Sequence, residues 1–293
     1  MKIETIQRQL YSWTDSVAEI QLWEQAENYK RVVIIADMHC GHKVGLTPPK
    51  YQPSPREEKT LRDHFHNKFA RIRQECWDFY SKTIDSLKPI DVLIVNADCI
   101  DGRGEKSGGT ELLTADIDEQ CDIAIECIRY AEAKNVIMTY GTPYHVGELE
   151  DHENKIAEAV GAKIGAHEWI SVNGVIFDVK HKVGNSIIPH GRATAALREA
   201  LWSIIWKEAQ MIPGANIIIR SHVHFAVDVR ISGLPHTIVT PALQAMGTKY
   251  GSRQCSGLVD FGLVVFDVYD NGRYSHRIIT APIYSQRAAV TTL

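Results

Sequence analysis

Arg31-Val32-Val33-Ile34-Ile35-Ala36-Asp37-Met38-His39 is the stretch that decides how this chain folds. A short apolar, β-branched run gives way abruptly to an oxygen donor and an imidazole two residues apart. Such a run, bounded by polar residues, reads as a buried strand. The arrangement recurs along the chain. Asp91-Val92-Leu93-Ile94-Val95-Asn96 precedes Asp98-Cys99-Ile100-Asp101, and Asn135-Val136-Ile137-Met138-Thr139-Tyr140 precedes Gly141-Thr142-Pro143-Tyr144-His145. Val175-Ile176-Phe177-Asp178-Val179 delivers His181, and Asn216-Ile217-Ile218-Ile219-Arg220 precedes Ser221-His222-Val223-His224. In a layered α/β protein the strand ends meet at one sheet edge, where ligands bind. Carboxylates and imidazoles converging there describe a site for divalent transition metals, two of them.

The rest of the chain is consistent with a soluble enzyme-sized domain. At 293 residues, 44% hydrophobic and 23% charged, it can bury a large core. A net charge of −4 and a pI near 6.4 argue against sequence-independent binding to long nucleic acid, which leaves a basic footprint. No run approaches the roughly 18 apolar residues of a membrane span, and the first residues lack the apolar core of a signal peptide. Six scattered cysteines without a Cys-x-x-Cys pair point to a reducing, cytoplasmic setting.

Residues 1–30 read as a helical extension, with Leu10, Trp13, Val17, Ile20 and Trp23 at helical spacing. The main domain is expected over 31–293, with a Pro-rich loop and charged helix inserted at about 43–88. Helical stripes are also expected around Ile117–Ala131 and Ala193–Gln210. Strand–helix alternation in the first half, followed by gathered strands, suggests two sheets flanked by helices.

Taken in order, the ligand-bearing runs resemble the calcineurin-like metallophosphoesterase superfamily. Its pattern is Asp-x-His, Gly-Asp-x-x-Asp, Gly-Asn-His-(Asp/Glu), a lone His, then Gly-His-x-His, and the resemblance spans roughly Arg31 to Ala281. It implies a four-layer αββα sandwich of two mixed sheets flanked by helices. Ala97 stands in place of the second-motif glycine, and Thr142 in place of the metal-binding asparagine. The Gly-Thr-Pro-Tyr-His variant, with His39-Cys40-Gly41-His42, is similar to members carried by phages and prophages.

Asp37 and His39 read as ligands of the first metal and Asp98 as a bridging carboxylate, since two oxygens can hold two cations. Asp101 is expected to order its loop by accepting from backbone amides. The resemblance assigns His181 as the isolated ligand, His222 to the second metal and His224 to the first. His145 is either the general acid for the leaving oxygen or a substitute ligand for the missing asparagine; the acid role is preferred. Thr142 could serve the second metal or position a water. His190 and Arg192, at a helix start, could hold an anion, although Arg192 reads equally well as a solvated residue. Arg103 and Lys249 complete a candidate basic ring for substrate.

The resemblance implies a dimetal hydrolase, with manganese first and iron, zinc or magnesium as alternatives. The expected substrate is a phosphodiester, either a nucleotide or nucleic acid such as DNA. The competing readings are a small-molecule phosphomonoesterase and a catalytically weak scaffold protein. A homo-oligomer is compatible with all three.

Overall fold

A computed structural model describes residues 28–147, 151–186, 188–248, 258–287, 290 and 292. The helical extension expected for the first residues therefore lies almost wholly outside the described part, as does Lys249. The first predicted strand forms β1 (Tyr29–Ile35), followed by helix α1 (Leu61–Leu87), β2 (Val92–Val95), α2 (Ile117–Tyr130) and β3 (Asn135–Thr139). A single helical turn, α3 (Pro143–Val146), then leads to α4 (His152–Val160) and β4 (Lys163–Gly165). The second half holds β5 (Glu168–Val172), β6 (Val175–Val179), α5 (Arg192–Glu208), β7 (Ile217–Arg220), β8 (Val227–Val229) and β9 (His236–Val239). It closes with β10 (Phe261–Tyr269) and β11 (Tyr274–Ala281).

These strands form two mixed sheets, one six-stranded in the order β11-β10-β1-β2-β3-β4 and one five-stranded in the order β5-β6-β7-β9-β8. Strand alternation separates the two faces of the first sheet. Val32, Ile34, Val92 and Ile94 pack between the sheets with Phe177, Ile217, Ile219, Ile238 and Phe266. Val33, Ile35, Leu93 and Val95 face outward, against Ile72, Cys76 and Tyr80 of α1, Ala124 and Ile128 of α2, and Ile156 of α4. α5 covers the second sheet with Ala195 and Ala196 beside Val239. The architecture is therefore the helix–sheet–sheet–helix sandwich expected from the sequence. α5 presents its small residues inward and leaves Leu201, Trp202, Ile205 and Trp206 about half exposed.

The helix of the Pro-rich insertion runs from Leu61 to Leu87. Its start is set by a capping box, in which Thr60 accepts from the Asp63 amide and Asp63 accepts from the Thr60 amide. Among the described residues no helix is long and apolar enough to cross a membrane.

Candidate metal centre

β1, β2 and β7 end at the same edge of the sandwich, and the loops that follow are stitched together. Asp37 N donates to Ala97 O at 3.0 Å, His39 N to Asp98 O at 3.1 Å and Cys40 N to Cys99 O at 2.9 Å, so the first two motifs run side by side. His222 N donates to Asp37 Oδ2 at 3.1 Å, tying the loop after β7 to the loop after β1. The chain bends sharply here. Asp37, His39, Asp98, His222 and His224 all have positive φ, between 43° and 78°. Side chains with a Cβ adopt this conformation at a cost of about 1–3 kcal/mol each, and such strain gathers where function fixes the geometry. Among the nine described non-glycine residues with positive φ, five are these donors.

The donors form overlapping groups. The ligating atoms of Asp37, His39 and His224 lie within 4.8 Å of one another, as do those of Asp98, His181 and His222, and those of His39, Asp98 and His145. Asp98 thus belongs to two groups, with imidazoles on either side. The distances are short: His224 Nε2 to Asp37 Oδ1 is 3.4 Å, His181 Nε2 to Asp98 Oδ2 is 3.0 Å and His222 Nδ1 to Asp98 Oδ2 is 4.0 Å. Outer partners fix the rings. His39 Nδ1 lies 3.1 Å from Asp101 Oδ1, and His181 Nδ1 donates to Asn96 O at 2.8 Å. Each partner leaves Nε2 for the centre, the arrangement usual for metal-bound histidine. Asp101 was expected to serve loop amides; its carboxylate instead turns to His39, because the Asp101 and Gly102 amides are already taken by Gln120 Oε1 at 3.2 and 2.9 Å.

Two observations show that this donor set fits a cation. Asp37 Oδ1 is buried and accepts no hydrogen bond, with the imidazoles of His224 and His181 only at 3.4 and 3.9 Å, and a buried carboxylate oxygen left without a hydrogen bond is costly. His39 Nε2 and His224 Nε2 face each other at 3.2 Å, two ring nitrogens aimed at one point. The electrostatics agree. Burial pushes the Asp98 carboxyl up, but the charge and hydrogen bond of His181, joined by His222, bring it well below the usual carboxylate range. Burial lowers His181, yet Asp98 and Asp37 raise it to about 10. Asp37 likewise ends below its ordinary value, burial being outweighed by His224. Burial lowers His224 as well, yet the same carboxylate charges, Asp37 first, raise it.

A buried polar layer lies beneath the donors. Asn96 Nδ2 donates to Ser221 Oγ at 2.6 Å and Thr139 Oγ1 donates to Asn96 Oδ1 at 2.6 Å, while Ser221 Oγ meets Thr240 Oγ1 at 2.7 Å. This layer links the ends of β2, β3, β7 and β9. Glu153 accepts from Cys99 N at 3.0 Å and Gly141 N at 2.7 Å, clamping the second and third motifs together. Burial, followed by the Asp98 charge, pushes Glu153 up to about 7. A Cβ at Gly141 would meet Asp98 Oδ1 at 2.2 Å, so the third motif approaches the carboxylate with its backbone. Thr142 N then donates to Asp98 Oδ1 at 2.8 Å, with its hydroxyl 3.3 and 3.4 Å from the two Asp98 oxygens.

The donors open into a cavity of about 250 Å³ lined by His39, His42, Asp98, His145, His222 and His224, and on its outer wall by Lys106, Tyr144, Gln244 and Met246. His145 Nδ1 donates to Asp101 O at 2.9 Å, and its ring lies 4.5 Å from that of His39. Tyr144 is held by the Lys106 amide, which donates to its hydroxyl at 2.9 Å. Arg103, His190 and Arg192 are not among the lining residues. The Arg192 guanidinium instead stacks 4.0 Å above Phe225, and Arg103 and His190 point to solvent. Lys106 comes from one loop and Gln244 and Met246 from another; none carries a motif, so spacing could not have found them. The supporting Asn96, Gln120 and Glu153 are equally silent in sequence.

No family model and no curated protein matches this sequence. Among solved structures, one similar fold is a Vps29 single mutant from Entamoeba histolytica, at 10% identity over 86% of this chain and 99% of that one, with a TM-score of 0.40. Another is a novel archaeal phosphodiesterase, at 12% identity over 85% and 99% of the two chains, TM-score 0.41. A third is a Streptococcus pneumoniae protein described as a predicted phosphoesterase, at 7% identity over 87% and 100%, TM-score 0.35. Likeness at this level carries no functional weight; the architecture rests on the strand order above.

Proposed function

We propose that this chain is a two-metal phosphodiesterase of the calcineurin-like metallophosphoesterase superfamily, of the phage- and prophage-type variety. The observation that carries the reading is that the Asp98 carboxylate belongs to two donor groups, one with His39 and His145 and one with His181 and His222. Asp37, His39 and His224 would hold one ion, His181 and His222 the other, and Asp98 both. Two divalent ions there, manganese in the first instance, supply the acidity to activate a water near neutral pH and the charge to neutralise phosphoryl oxygens.

The chain's own residues do the rest. Outer partners hold the His39 and His181 rings in register, so little reorganisation accompanies substrate arrival. His145 has its Nδ1 committed to the Asp101 carbonyl, which leaves Nε2 for proton transfer to the leaving oxygen. Thr142, bound to Asp98, stands where its hydroxyl can hold a water. The outer wall of Lys106, Tyr144, Gln244 and Met246 offers a cation, an aromatic edge, an amide and a soft apolar surface. That mixture suits a phosphodiester with a nucleotide-type substituent, whether a free nucleotide or a nucleic-acid end.

A panel of substrates tests the proposal: a chromogenic phosphodiester, a phosphomonoester, cyclic dinucleotides, and single- and double-stranded DNA, each with added manganese. Preferential hydrolysis of diesters supports it. Turnover confined to the monoester favours the small-molecule phosphatase reading. Metal binding without hydrolysis of any ester would favour a scaffold, a reading prompted by Thr142 engaging Asp98 instead of offering a free ligand.

A further inference from the structure

Away from this centre, a carboxylate bridges the two sheets at one side. β8 and β11 are edge strands, one in each sheet. Asp228 on β8 pairs opposite Ile238, and His276 on β11 opposite Phe266, both members of the inter-sheet core. Cross-strand neighbours share a face, so Asp228 and His276 look into the space between the sheets. Asp228 Oδ1 lies 2.7 Å from His236 Nε2, and Asp228 Oδ2 lies 2.7 Å from His276 Nε2.

Three features exceed what a hydrogen-bonded latch requires. The ligating atoms of Asp228, His236 and His276 all lie within 4.8 Å of one another. His236 is fixed from behind: its Nδ1 sits 3.1 Å from the Tyr274 hydroxyl, and its ring stacks on that of Tyr274 at 14°. An outer partner on the far nitrogen, with Nε2 presented inward, is how proteins orient a metal-binding imidazole. Finally, the His236 side chain is 2% exposed, whereas those of Asp228 and His276 are 38% and 23% exposed. The group thus has a rigid base and an open side where an ion enters and a water completes its shell.

We propose that Asp228, His236 and His276 form a zinc site that staples the free edges of the two sheets. Two imidazoles, one carboxylate and an open fourth position match the preferences of zinc. Metal–nitrogen bonds of about 2.0–2.1 Å require the donor atoms to draw in on one ion, with His276 the more exposed of the two rings. Each ring would offer a deprotonated Nε2 to the ion and keep one proton on Nδ1, which in His236 faces the Tyr274 hydroxyl, and the Asp228 carboxylate would pass from the two imidazoles to the ion.

The test compares full-length wild type with His276→Gln and Asp228→Ala after zinc loading and dialysis. Metal is counted by elemental analysis, and the cobalt-substituted forms are examined for a tetrahedral visible spectrum. Glutamine keeps a donor for Asp228, so the fold is retained while the imidazole is lost. The proposal predicts one equivalent of zinc fewer in each variant, a zinc-dependent rise in melting temperature seen in wild type alone, and unchanged diesterase activity. If the metal centre proposed above does not exist, wild type still holds one zinc and the variants none, so the two ideas fail separately. Equal zinc in wild type and both variants would overturn the site.

Discussion

His181 Nε2 lies 3.0 Å from Asp98 Oδ2, and both side chains are almost completely buried. A buried ion pair this close is weak evidence for stability, because desolvation consumes most of the Coulombic gain. It is better evidence for a place kept for a cation. The pair sits beside an Asp37 oxygen that is buried without a hydrogen bond, and strained backbone gathers at Asp37, His39, Asp98, His222 and His224, as it does where function fixes the geometry.

Asp98→Asn should empty both metal positions together, since it is the one side chain proposed to be shared. His222→Ala, whose side chain is one-third exposed at the rim, should chiefly weaken one position. Calorimetric manganese titration reads both. Two ions bound by Asp98→Asn with wild-type affinity would show that the carboxylate is not a bridge.

The six proposed donors are legible in the sequence because most follow an apolar, β-branched run that reads as a buried strand. Parallel pairing of β1 with β2 and of β6 with β7 then brings their C-terminal ends to one edge. What spacing could not reveal is the layer beneath. Asn96, Glu153 and Gln120 sit at ordinary loop and helix positions, and their roles appear only once the third dimension places Glu153 under Cys99 and Gly141. The cavity wall is hidden from spacing for a related reason. Arg192, which reads equally as an anion clamp or a solvated residue, lies over Phe225 and outside the cavity lining, while Lys106 comes in from a glycine-rich loop. The role of the third motif rests on experiment.

His145→Ala discriminates between the two roles open to this residue. As the general acid, its loss should leave metal content intact and slow esters with basic leaving groups by roughly 10²–10⁴-fold. A nitrophenyl diester, whose leaving group needs no proton, should lose much less. Equal losses on both substrates, with half the metal gone, would make His145 a ligand instead.

Glu153 gives the metal-free protein a pH signature. Its folded pKa, about 7, lies above the ordinary 4.5, so between these values the unfolded chain releases a proton that the folded protein keeps. Stability from this group is therefore full below about pH 4.5 and falls as pH rises through 7, by up to a few kcal/mol. Melting temperatures of chelated wild type and Glu153→Gln from pH 5 to 8 check this. The wild type should decline more steeply, and parallel curves would refute the assignment.

Gly141→Ala should damage the centre without touching any donor, because its Cβ would lie 2.2 Å from Asp98 Oδ1. Overpacking of this kind costs about 1–3 kcal/mol, and here relief requires the carboxylate to move. Lower manganese affinity at near-wild-type helix content by circular dichroism is the expected result. Unchanged affinity would mean that the third motif has room to retreat.

The central claim, two cations sharing Asp98, is tested most directly by anomalous diffraction from crystals soaked in manganese. The account predicts two peaks roughly 3.5–4 Å apart, one among Asp37, His39 and His224 and the other between His181 and His222, with the Asp98 carboxylate touching both. A single peak, or two peaks of which Asp98 reaches only one, would contradict it.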